Sequence, residues 1–135
     1  DGPVMNYVGG ENGSEEFYKK VLHIRNSAPE LTLGSWNYTD VKSSDSMVFA
    51  ILRSHEGNYA IPLINFSENN TTFELMINTK NMRIDPEPAY NIYDLFNDRI
   101  LTKPSGETLF NGRDLAKVEM EMEPHSVSVL LIRRV

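Results

Sequence analysis

A chain of 135 residues, 40% of them apolar, is the size of one domain and buries roughly two thirds of the surface its unfolded form exposes, so one core can hold it without covalent staples. The formal net charge of -6 and the scatter of the basic residues exclude the clustered Lys/Arg surface that binds nucleic acid. No apolar run approaches the roughly 20 residues of a membrane-spanning helix, and the absence of cysteine excludes disulfides and thiolate metal sites.

The chain opens on Asp1-Gly2-Pro3 and runs directly into Val4-Met5-Asn6-Tyr7-Val8, with no initiator methionine, which reads as a piece of a longer protein. Residues 3–9 suit a short buried strand, and Gly9, Gly10 and Gly13 make the next segment a loop. Ser14 is a candidate N-cap, with Glu15 and Glu16 in the first turn, where carboxylates complement the free amides. Phe17, Val21 and Ile24 then recur at helical spacing with Leu22 beside them, while Lys19, Lys20 and Arg25 lie elsewhere around the helix. This pattern predicts an amphipathic helix over residues 14–28, stopped by Pro29.

After Pro29 the apolar period changes to alternation. Leu33–Thr39, Met47–Ser54, Tyr59–Phe66, Thr72–Ile77, Ala89–Leu95, Arg99–Thr102, Thr108–Phe110, Lys117–Met122 and Val127–Arg133 are the expected strands. Between them lie segments with turn chemistry, among them Ser43-Ser44-Asp45, His55-Glu56-Gly57-Asn58, Asp85-Pro86-Glu87-Pro88 and Asn111-Gly112. Short strands at such spacing predict a mainly β fold, an antiparallel Greek-key β-sandwich preceded by one amphipathic α-helix.

Read in order, these pieces resemble the tail of the α-amylase family of glycoside hydrolases, family 13. Gly2-Pro3 and Tyr7-Val8-Gly9-Gly10-Glu11 look like the segment that ends the family's eighth barrel strand. The stretch from Phe17 to Leu31 resembles its last barrel helix, and Gly34-Ser35-Trp36 and Val48–Arg53 follow in the family's order. Downstream, Leu63-Ile64-Asn65-Phe66-Ser67, Tyr93-Asp94-Leu95-Phe96 and Met122–Leu130 are similar to strands of the family's C-terminal sandwich.

The resemblance implies that residues 1–30 are the remnant of a (β/α)8 catalytic barrel, its last strand and helix, and that residues 31–135 are the C-terminal sandwich domain. It implies a catalytic barrel as the partner in a parent enzyme acting on α-glucans such as starch or maltodextrin. The family's catalytic Asp, Glu and second Asp sit on earlier barrel strands and match no position here, so no catalytic residue is assigned and the chain alone is expected to be inactive. The compartment follows the parent: periplasmic or secreted if it degrades external starch, cytoplasmic otherwise.

Glu119, Glu121 and Glu123 alternate with Met120 and Met122, as on the solvated face of a half-buried strand. His23, His55 and His125 lie far apart with no metal-ligand spacing, no Gly-x-Ser-x-Gly elbow is present, and no metal or cofactor is expected. Trp36 and Tyr38 share parity on one expected strand and are the candidate platform for an α-glucan ring. A carbohydrate-binding module is therefore the alternative function, and an unrelated sandwich interaction domain a third. Self-association through the apolar face of the helix is the further partner expectation. Asn-x-Ser/Thr triplets begin at Asn12, Asn37, Asn65, Asn69 and Asn70 and are read as incidental.

Overall fold

The computed structural model describes residues 15, 16, 19, 20, 22, 23, 26–33 and 35–135. The expected strand over residues 3–9 and the apolar stripe of Phe17, Val21 and Ile24 lie outside the described residues. Those described between 15 and 27 are helical, as the periodicity predicts. Pro29 has a second role besides ending that run: it opens a one-turn helix, Pro29–Leu33. A proline suits a first helical position, since its missing N–H would have no partner there and its φ is already helical. Leu33 therefore closes a helix, and the first strand begins only at Ser35.

The described strands are β1 (Ser35–Asn37), β2 (Val41–Ser43), β3 (Val48–Ala50), β4 (Leu52–His55), β5 (Asn58–Asn65), β6 (Thr71–Ile77), β7 (Ala89–Asp94), β8 (Arg99–Ile100), β9 (Phe110–Asn111), β10 (Val118–Met122) and β11 (Val127–Arg134). They form two antiparallel sheets. The larger is ordered β1-β4-β5-β11-β7-β8, with β3 also on β5 and β9 also on β7; the smaller is β10-β6-β2. The last strand, β11, inserts between β5 and β7, which were laid down much earlier. This long-range return is Greek-key wiring.

Alternation decides what lies between the sheets. Leu52, Ile61, Leu63, Ile92, Leu130 and Ile132 of the large sheet meet Phe73, Leu75, Val118, Met120 and Met122 of the small one in a single buried cluster. On β10 the pattern is strict: Val118, Met120 and Met122 are buried while Glu119 and Glu121 are exposed.

Three departures from the sequence expectation have local causes. The expected strand Met47–Ser54 is divided at Ile51, although β3 and β4 pair with β5 in one continuous register. Ile51 N–H donates to the Pro62 carbonyl at 3.3 Å, but Pro62 has no N–H to return, so the ladder lapses there. Second, β2 is a three-residue strand too short to display a period, and pairing with β6 defines it. Third, the segment after Asn111 folds into a 3-10 turn, Asp114–Ala116, that buries Leu115.

Two turns depend on glycine. His55 pairs with Asn58 across a two-residue connection in which Glu56 (φ 51) and Gly57 (φ 81) both take left-handed backbone, the geometry that matches strand twist in a tight hairpin. At Gly112 an added Cβ would lie 1.8 Å from the Asp85 carbonyl oxygen. Only glycine lets the backbone pass the 85–86 segment so closely.

Side chains join the sheets at their ends. Asn65, fully buried at the end of β5, accepts from Ser67 N–H at 3.0 Å. Its amide nitrogen lies 3.2 Å from Thr71 Oγ1, 3.3 Å from Asn69 O, 3.4 Å from Met122 O and 3.0 Å from Glu123 O. One side chain thus ties the large sheet to the end of the β6–β10 pair where Thr71 and Met122 stand opposite each other.

Candidate functional site

The cross-strand register places two rows of residues on the outer face of the large sheet, the face turned away from the core. One row is Phe49, Ile64 and Val127; the other is Arg53, Ala60, Leu131, Tyr93 and Ile100. An apolar outer row on a sheet already buried on its inner side requires a second cover.

Part of that cover comes from the segment just before the first strand. Ala28 is fully buried and clusters with Ala60 and Leu131, joined by Leu31 and Leu95. Glu30, 1% exposed, receives a forked pair from Arg133 on β11: Nη2 to Oε1 at 2.9 Å and Nε to Oε2 at 3.1 Å. The planar guanidinium matches the carboxylate, which is why arginine serves at such a joint. Arg53 Nη1 donates to the Leu31 carbonyl at 2.6 Å, satisfying an end of the short helix that has no helical partner. Further back, the Lys20 ammonium sits 4.5 Å from the centre of the Phe96 ring. The helical segment is therefore docked on the sheet through its C-terminal end, with Lys20 reaching a ring just past β7.

Between the two rows Ile51 and Val129 are buried as well, and the face opens only at the outermost row. Phe49 is 47% exposed, and its register partner Ile64 and Val127 beyond it are half-buried. Phe66, just past β5, is exposed as well. Leu22, grouped with the apolar stripe in the sequence, is exposed.

The two glucan candidates stand on different backbone: one in a strand, the other in a bend. Trp36 lies in β1, in register with Arg53, and its side chain is outside the description. Tyr38 falls beyond the strand end, in a bend, and is 63% exposed. That bend is fixed by Asn37, whose Oδ1 accepts from Thr39 N–H and Asp40 N–H and whose Nδ2 donates to Asp40 Oδ2 at 2.7 Å. The parity that grouped the two residues on one expected strand therefore stops at Asn37. His23, His55 and His125 are in three separate places: a helical residue, the end of β4 and the turn before β11. Among the described residues no group of three or more His, Asp or Glu could hold a metal ion. Asn65 is buried and cannot accept a glycan, whereas Asn69 and Asn70 are exposed.

Two carboxylate arrangements, one buried and one half-buried, escaped the sequence reading, and both are structural. Asp94, fully buried, accepts from Phe96 N–H, Asn97 N–H and Val129 N–H and faces Arg99 Nε at 3.7 Å, so it shapes the β7–β8 turn and ties it to β11. Asp114 accepts from Lys103 Nζ at 2.7 Å and from Asn111 N–H. The lysine bond is the main reason its carboxyl is held below the ordinary value; burial opposes this, and Asn111 N–H and the charges of Lys103 and Arg113 reinforce it.

This two-sheet sandwich with a helical segment on its outer face defines a class of fold that solved α-amylases share. A maltogenic α-amylase from Thermotoga neapolitana superposes with a TM-score of 0.62 at 16% identity, over 94% of this chain and 27% of that one. The α-amylase of Geobacillus thermoleovorans, solved with acarbose, gives 0.63 at 14% identity over 91% and 23%. An Anoxybacillus α-amylase gives 0.58 at 12% over 87% and 22%. This chain spans about a quarter of the length of those enzymes, and the likeness at this identity is one of fold. No protein-family model and no curated protein sequence matches the chain.

Proposed function

We propose that this chain is the C-terminal accessory domain of an α-amylase-like glycoside hydrolase acting on α-glucans, and that it stabilises the parent's catalytic barrel by covering part of the barrel's apolar wall. Residues 1–30 are on this reading the end of the barrel, and residues 31–135 the sandwich. The observation that carries it is the outer face of the large sheet. The segment before the first strand is fastened there by Ala28, Leu31 and the Glu30–Arg133 pair, and the Phe49–Ile64–Val127 row extends the apolar surface beyond it. A single helical segment covers only part of a sheet face, so a larger body packed on the same side accounts for the remainder. The fold likeness to α-amylases supports the same arrangement.

The test has two arms. The coding sequence upstream of Asp1 is expected to specify barrel strands bearing the family's Asp, Glu and Asp; an unrelated domain there would overturn the proposal. The chain itself is expected to hydrolyse neither starch, pullulan nor a nitrophenyl maltoside, and activity abolished by changing one of its own carboxylates would overturn it equally.

A further inference from the structure

One side of the sandwich is closed and the other open. On the closed side, the bend after Asn37 carries the chain from β1, an edge of the large sheet, to β2, an edge of the small one. On the open side, β8 and β10 are edges of different sheets, and a groove lies between them. Its centre is a cavity of about 310 Å³ lined by Arg99, Ile100, Leu101 and Thr102 on one wall and Glu119, Met120 and Glu121 on the other. It continues into a space of about 470 Å³ past Glu119 and Thr102 and another of about 460 Å³ past Glu121 and Arg99.

The direction of the main-chain groups along both walls follows from the ladders. Ser44 N–H donates to the Glu74 carbonyl, Glu74 N–H donates to Ser44 Oγ, and Asn78 N–H donates to the Asp40 carbonyl. The even-numbered residues of β6 thus turn both main-chain groups toward β2, and the odd-numbered ones toward β10, because an antiparallel ladder alternates. Glu119 and Glu121 are in register with Glu74 and Thr72. Their N–H and C=O groups consequently point away from β6, into the groove, and among the described residues nothing bonds them. On the opposite wall, Leu101 N–H donates to the Ile92 carbonyl, so the same alternation turns the main-chain groups of Ile100 away from β7.

Charge on the groove is lopsided once internal pairs are removed. Arg99 faces Asp94, Lys103 bonds Asp114, and Lys117 faces Glu74. Glu119 and Glu121 have no ion-pair partner among the described residues.

We propose that the β10 edge is a docking site for an extended polypeptide segment that adds to the small sheet as a further antiparallel strand, with basic residues alternating with apolar ones. The added strand's main chain would meet the free donors and acceptors of Glu119 and Glu121. Residues opposite those two share their solvent face, where Lys or Arg pairs with carboxylate. The intervening residues point inward, toward Met120 and Leu101, both under 10% exposed, where apolar side chains fit. A second copy of the chain pairing β10 on β10 would instead set glutamate beside glutamate, a repulsion that disfavours self-association at this edge.

The probe is an acetylated seven-residue peptide alternating lysine and valine, titrated into the whole chain and followed by NMR and amide hydrogen exchange. Saturable binding is expected, with exchange at the Glu119 and Glu121 amides slowed at least tenfold while the β6 amides keep their rates. A peptide N-methylated at alternate residues, and one with glutamate in place of lysine, are each expected to bind at least tenfold more weakly. Glu121→Pro removes an outward N–H and no ladder bond, a change an edge strand accommodates, and should weaken binding to the same extent. Absence of binding up to millimolar peptide would overturn the proposal. So would binding indifferent to both N-methylation and Glu121→Pro, or protection of the two amides by self-association without peptide.

Discussion

Asn65 illustrates how one side chain can decide a junction that no strand pattern reveals. It belongs to the Leu63–Ser67 stretch that carries much of the family resemblance, yet periodicity alone would make it an ordinary strand-end residue. In the structure its amide serves carbonyls on two other segments and lies wholly out of solvent. Removing it leaves buried carbonyls without a donor, at a cost of about 2–3 kcal/mol. Asn65→Ala should lower stability by that amount in urea unfolding, and Asn65→Asp by at least as much, since a carboxylate would face those carbonyls. A loss under about 0.5 kcal/mol would mean that the staple contributes little. The sequence also singled out Trp36 and Tyr38, and their shared parity was an inference about a strand that proves to end at Asn37. Tyr38 lies on a bend held by Asn37 and Asp40, so strand parity no longer relates it to Trp36. Titration with maltoheptaose should leave Trp36 fluorescence unchanged, and a saturable change abolished by Trp36→Ala would establish the glucan site.

At the scale of elements, the sequence was most informative where one face of a strand meets solvent. On β10 the alternation of Met and Glu specified inside and outside correctly. On β5 both faces are apolar, from Ala60 to Ile64, because the sandwich core covers one and the helical segment part of the other. Such a run signals burial without saying by what. The Glu30–Arg133 pair was invisible for a different reason: its members are 103 residues apart, and nothing local marks them as partners. Because Glu30 is buried and Arg133 partly exposed, removing the arginine strands a carboxylate, whereas removing both charges does not. Arg133→Met should destabilise by about 2–3 kcal/mol, and adding Glu30→Gln should recover part of that loss. Additive single effects in that double-mutant cycle would show that the pair is not coupled. The loop from Lys103 to Asp114 gives a pH signature. Asp114's carboxyl lies below its ordinary value of 3.8 when folded, so its contribution is complete above that value and disappears as the pH falls through the lowered one. Asp114→Asn should flatten the acid limb of the stability profile, and an unchanged slope would refute that assignment.

For the whole molecule, the outer face of the large sheet separates a self-sufficient sandwich from one made to be packed upon. The core between the sheets was legible in the sequence because it needs only alternation within each strand. The open Phe49–Ile64–Val127 row was not, since it exists only once β3, β5 and β11 stand side by side, and β11 is far from the other two in the chain. If the row is a docking face, its residues contribute little to this chain alone and much to a longer protein. Phe49 is nearly half exposed, so Phe49→Glu in the 135-residue chain should change stability by no more than about 0.5 kcal/mol. In the protein extended upstream of Asp1, the phenyl ring would be buried against the neighbouring domain, and the same substitution should cost about 1.5–3 kcal/mol. The two measurements, thermal or urea unfolding of each form, are compared directly. Equal small losses in both would mean that the row stays in solvent in the longer protein too. A large loss in the short chain would mean instead that the row is part of this chain's own core or its own self-association, and the docking assignment would fall.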